Sequence, residues 1–141
     1  MRLVFDIDPV QQARPRATRF GRGIRLYDPH KVAQFKRDLA LLCQMQYHGQ
    51  PLEGPLSLRV KFYRPVQKSL SKIERSRRLL GEHRPTVKPD LSNYLKSFED
   101  ALNGILWADD ALIVHEEIDK LYADQPRIEV EVWRWKYDES N

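Results

Sequence analysis

Sulfur is almost missing from this chain: one cysteine, Cys43, stands among 141 residues. A disulfide scaffold needs pairs and is excluded. A zinc ribbon fails for the same reason, since no cysteine pair exists and His30, His48, His83 and His115 are scattered. Long apolar runs are also absent. No stretch approaches the ~20 residues that span a bilayer, and Met1-Arg2-Leu3 does not open a secretory signal. A cytoplasmic protein without membrane contact is therefore expected. There is no internal repeat and no low-complexity tract.

What is present suits one globular unit. The hydrophobic share is 41% and the mean hydropathy is −0.64, polar for a folded chain but outside the disordered range. A domain of this length buries roughly 68% of its unfolded surface, so residues 1–141 read as a single domain. The net charge of +4 hints only weakly at a polyanionic partner. Its distribution says more. Residues 59–89 carry ten Lys/Arg against two Asp/Glu, whereas residues 97–141 carry four against twelve. This layout allows an acidic site beside a basic surface.

Residues 2–7 read as a first strand, stopped by Asp8-Pro9. A loop with Arg14-Pro15-Arg16 follows, then a Gly21-Arg22-Gly23 turn and a short extended Ile24–Tyr27. Asp28 as N-cap and Pro29 in the first turn open a helix running to about Tyr47, with Val32, Phe35, Leu39 and Leu42 at three-to-four spacing. Cys43 lies beside that stripe and reads as a core thiol. Leu56, Leu58, Val60 and Phe62 alternate with polar residues in a strand that Pro65 ends. Residues 66–89 are basic and poorly periodic; a helix over 71–80 is compatible with them, but an exposed, partly mobile connection is the expectation.

Asp90 opens a second helix. Leu91, Leu95, Phe98, Leu102 and Ile105 form its apolar stripe, with Ser92, Lys96, Glu99 and Asn103 on the adjoining polar one. Asn103-Gly104 closes it. Strands are expected over about 111–121 and 128–135. The whole reads as an α+β fold: a single mixed sheet with two main helices packed on it.

Asp90 and the Asp109-Asp110 pair are the candidate chemistry. If the strand after Asp110 pairs near the helix start, the carboxylates of Asp90 and Asp110 converge, and close carboxylates call for a cation. Oxygen ligands without imidazole or thiolate suit Mg²⁺ or Mn²⁺, and Lys96 would then offset developing phosphate charge. The plainer reading stands beside it: an N-cap, a turn and a solvated lysine.

The run Lys88-Pro89-Asp90-Leu91-Ser92-Asn93-Tyr94-Leu95-Lys96, then Glu99-Asp100-Ala101-Leu102-Asn103-Gly104, then Trp107-Ala108-Asp109-Asp110 resembles the RusA family of Holliday-junction resolvases. The match covers residues 88–114, and its elements agree in order and spacing. The resemblance implies a homodimeric, Mg²⁺-dependent endonuclease that nicks two opposed strands of a four-way junction, in DNA recombination and repair. It places the site at Asp90, Ser92, Lys96 and Asp110. Ser92 departs from the family pattern, which has a carboxylate there. Glu99, two turns further along the same stripe, is a candidate replacement ligand; it reads equally as a solvent-facing residue. A non-catalytic branched-DNA-binding protein with a degenerate metal site is the alternative. For DNA contacts the candidates are Arg14, Arg16, Lys68, Lys72, Arg75, Arg77, Arg78, Arg84 and Lys88, which would give affinity a steep salt dependence. Tyr63, Tyr94 and Trp107 read as core or dimer-contact residues.

Overall fold

A four-stranded mixed sheet carries the molecule, and the computed structural model describes residues 1–137. Of the expected single domain, residues 138–141 lie outside the described residues. The elements are β1 (Arg2–Phe5), β2 (Arg16–Phe20), β3 (Gly23–Tyr27), α1 (His30–Gln46), β4 (Leu56–Pro65), α2 (Lys72–Leu79), α3 (Leu91–Leu102), β5 (Ile113–Ala123) and β6 (Arg127–Arg134). A 3-10 turn, Asp110–Leu112, leads into β5. The sheet order is β1-β6-β4-β5, with β5 parallel to β4 and the other pairs antiparallel.

Alternation decides the two faces of the sheet. Leu58, Val60 and Phe62 of β4 sit opposite Val132, Val130 and Ile128 of β6, and all six are buried. Helices α1 and α3 pack against one another and are drawn into the same core as that face. Phe62 stacks on Tyr94 at 5.4 Å and meets Phe98 edge-on at 5.8 Å, while Phe98 meets Trp107 at 6.1 Å. These ring pairs fix α3 over β4. Tyr94 and Trp107 are core residues. Cys43 is fully buried, and burial pushes its thiol up to about 11, so it is inert as read.

The other face is a solvated ladder of ion pairs. Arg59 sits across from Glu117 and Glu131 and reaches them at 2.8 and 3.8 Å. Glu129 takes Arg2 at 2.6 Å and Arg127 at 2.8 Å.

Four expectations are corrected. The first strand ends at Phe5. Residues 16–20, read as loop, form β2, which pairs with β3 in a separate hairpin. The N-cap of α1 is Pro29 and not Asp28; the Asp28 carboxylate instead accepts from Lys36 at 2.7 Å and Gln12 at 2.9 Å. There are also three helices: the basic segment holds α2, capped by Ser71 Oγ, which accepts from the Glu74 amide at 3.2 Å. A short polar helix has too weak an apolar stripe to be read by periodicity.

Candidate active site

The polar stripe of α3 faces the edge strand β5, and the candidate site lies along that seam. Because α3 and β5 run in opposite senses, Pro89 lies beside Lys120 and Glu99 beside Glu116. Glu116 lies opposite Leu58 in register. It is therefore on the helix-covered face, in phase with Ile118 and Lys120, where an apolar residue would ordinarily stand.

Glu99 is partly buried, and its carboxyl is held up to about 9, first by burial, then by the hydrogen bond and charge of Glu116, then by Asp110 and Asp100. Asp110 is also raised, by burial first and then by Asp109 and Asp100, with Asn103 opposing. Crowded carboxylates without a cation hold protons in this way. A shallow cavity of about 430 Å³ opens here, lined by Glu99, Asp110, Ile113, His115 and Glu116 among others. The two members of the Asp109-Asp110 pair divide their work. Asp109 caps the 3-10 turn, accepting from the Ala111 amide at 2.9 Å, which leaves Asp110 to the cavity.

Asp90 stands elsewhere. It is the N-cap of α3 but makes no side-chain capping bond, and a rise of about 1.5 Å per residue puts it about 13 Å along the axis from Glu99. The carboxylates acting on Glu99 are Glu116, Asp110 and Asp100, and those acting on Asp110 are Asp109 and Asp100. The expected convergence of Asp90 with Asp110 is therefore not seen; Asp110 is grouped with Glu99 and Glu116. The physical reason is the antiparallel run of α3 against β5, which brings the helix start to the far end of the strand. Ser92 and Lys96 are exposed between these two ends of the stripe.

Two residues that sequence reasoning missed hold Asp90 in place. Lys120 Nζ donates to the carbonyls of Val87 and Pro89 at 2.9 and 3.0 Å. Arg64 donates to the Lys88 carbonyl at 2.9 Å. Glu116 was missed as well, although a carboxylate in the apolar phase of a strand was a readable signal.

The basic segment is only partly free. Arg78 bonds Glu74 at 2.9 Å and lies 4.7 Å over the Tyr122 ring. Arg75 pairs with Asp124, and Arg84 with Asp119 at 2.6 Å. These three bind the segment to β5 and the turn after it, so it is not a uniform phosphate-binding surface. Among the described residues, Lys68, Lys72, Arg77 and Lys88 make no such pairs.

The donor set fits a hard divalent cation. Among the described residues no three His, Cys, Asp or Glu side chains close into a ready cage. Mg²⁺ commonly takes only one or two carboxylates and completes its shell with water and phosphate. Glu99 and Glu116 with Asp110 beside them offer that chemistry, and their mutual repulsion is what a cation relieves.

Two comparisons accompany this geometry. The family model described as endodeoxyribonuclease RusA matches residues 6–133. The chain is also 38% identical over 125 residues to the uncharacterized protein YqaN of Bacillus subtilis (strain 168), across 87% of this chain and 88% of that protein.

Proposed function

That the chain belongs to the RusA family of endodeoxyribonucleases is the premise from which we propose that it resolves Holliday junctions, as a homodimer using Mg²⁺, with Mn²⁺ able to substitute. Symmetric nicks on two opposed strands require two sites related by a two-fold axis, which an isologous dimer provides. The reading places it in DNA recombination and repair within the cytoplasm.

The observation that carries this reading is the uncompensated acid at the α3–β5 seam, with Glu99 held up to about 9. Glu99, Glu116 and Asp110 would hold the cation, and the first two make good the carboxylate that Ser92 lacks. A bound divalent cation supplies an acidified water and neutralises charge on the phosphate. The other roles belong to the chain itself. Lys96, exposed on the same stripe, offsets negative charge that develops on the phosphate. Asp90, with its carboxylate free of capping duty and the backbone before it held by Lys120 and Arg64, meets the DNA strand at the start of α3. Lys68, Lys72, Arg77 and Lys88, together with Arg14 and Arg16, supply sequence-independent contacts to phosphates.

Incubating labelled four-way junctions with the protein, with and without Mg²⁺ or Mn²⁺, tests the proposal. Paired, metal-dependent nicks are expected. Ser92 and the lack of a closed three-ligand cluster among the described residues favour one alternative, a branched-DNA-binding protein without catalysis. Tight junction binding with no nicks in either metal would establish it. Calorimetric titration with Mn²⁺ gives a readout independent of cleavage: wild type should bind, and Glu99→Gln should bind at least about tenfold more weakly.

A further inference from the structure

Between Arg16 and Tyr27 the chain leaves the body of the molecule. Strands β2 and β3 pair from Arg16↔Tyr27 to Phe20↔Gly23, and every residue of both strands is exposed. The Gly21-Arg22 loop joins them, with Gly21 at φ 60°, the left-handed backbone that favours glycine at the first position of such a turn. A two-stranded hairpin with nothing packed on it is marginal in water. This one also displays Phe20, Ile24 and Leu26 at 70%, 73% and 66% exposure. Large exposed apolar residues on an unsupported element signal a surface that something covers.

Charge decides what covers it. The segment contains Arg16, Arg19, Arg22 and Arg25 and no acid. Among the described residues these four make no ion pair, unlike Arg75, Arg78 and Arg84. A second copy laid on the hairpin would set arginine against arginine. A polyanion would not.

The base of the hairpin, by contrast, is fixed against α3. The Gln12 amide donates to the Asn93 carbonyl at 2.9 Å, and Gln12 Nε2 donates to Asp28 at 2.9 Å. Lys36 ties Asp28 at 2.7 Å to Asp100 at 3.5 Å. A free arm therefore projects from a rigid root on the helix that carries Lys96 and Glu99.

We propose that residues 16–27 form a DNA-engaging arm, with Arg19, Arg22 and Arg25 on phosphates and Phe20 against exposed base faces at the branch point. The inference rests on the junction-resolving reading and adds to it the element that distinguishes a branch from a plain duplex. A two-stranded ribbon fits a duplex groove. Apolar side chains on such elements enter base steps, and unpaired or strained bases are the least costly to reach.

The test measures binding of a four-way junction and of a linear duplex without divalent metal, using 2-aminopurine at the branch. Phe20→Ala should weaken junction binding about tenfold, leave duplex binding nearly unchanged and abolish the 2-aminopurine fluorescence rise. The double variant Arg22→Ala/Arg25→Ala should weaken both and lower the slope of log K against log salt by about 1.8. Thermal melts should match wild type, because the arm has no part in the core. Variants that bind both DNAs as wild type does, while light scattering shows a changed oligomeric state, would overturn the arm in favour of a second copy. If those variants still prefer and cut junctions, only the arm falls. If wild type itself neither prefers nor cuts junctions, the parent reading and the arm fall together.

Discussion

Glu116 and Glu117 are neighbours on β5 and live in opposite electrostatic worlds. Glu117 points to the solvated face, where Arg59 at 2.8 Å holds its carboxyl below the usual range. Glu116 points to the helix-covered face, where it meets the Glu99 carboxyl, which is raised first by burial and then by Glu116. One face of the sheet matches its acids with arginines, and Glu129 beneath Arg2 and Arg127 is likewise lowered. The other leaves Glu99, Glu116 and Asp110 unmatched. Acid that is matched stays ionised on the sheet's open face. Acid left unmatched in a cleft resists ionisation, and groups shifted in this way concentrate at functional sites.

Removing unmatched acid should have the largest effect. Asp110→Asn and Glu99→Gln should each lower single-turnover junction cleavage by at least about 100-fold while leaving junction binding intact or tighter. Asp90→Asn should behave the same way. Gel-shift and cleavage assays on the same preparations check all three; parallel loss of binding and cleavage in a folded variant would contradict them.

Restoring acid should have the next largest effect. Ser92→Asp returns charge to the same stripe one turn before Lys96. It should rescue Glu99→Gln at least tenfold yet change wild type little, a non-additivity expected of groups that share one ion. Cleavage rates around the double-mutant cycle measure it.

The smallest effect is on stability. Glu99 is raised from 4.5 to about 9, so the folded protein keeps a proton that the unfolded chain releases. The stabilisation from this group is complete below pH 4.5 and is lost as pH rises towards 9. Thermal melts of metal-free protein should show Glu99→Gln gaining on wild type as pH goes from 5 to 9. Mg²⁺ at pH 8 should raise the midpoint of wild type more than that of the variant.

Sequence periodicity exposed the core more readily than the site. The alternation of Leu56–Phe62 and the α3 stripe gave the sheet and its covering helix, because burial imposes a period on the residues that do it. Spacing from Ser92 put Glu99 on the polar stripe of α3 as a candidate, with solvent exposure as the equal alternative; its partial burial against Glu116 was not legible. Glu116 showed only as a carboxylate in the apolar phase of its strand; its partner did not show, because that depends on which strand lies across α3 and in which direction it runs. Likewise, the richness of residues 66–89 in arginine said nothing about which arginines Asp119, Asp124 and Tyr122 would occupy. Of the hairpin, the turn and the extended Ile24–Tyr27 were legible but β2 was not: its residues are all exposed, so no burial period marks them.

The adjacent pair on β5 tests the account most directly. Single-turnover cleavage of a labelled four-way junction in Mg²⁺ should fall about 10- to 100-fold in Glu116→Gln and stay within about twofold of wild type in Glu117→Gln, an exposed pair of the kind that contributes little. Equal rates for the two variants, or loss confined to Glu117→Gln, would contradict the assignment of the α3–β5 seam as the active site.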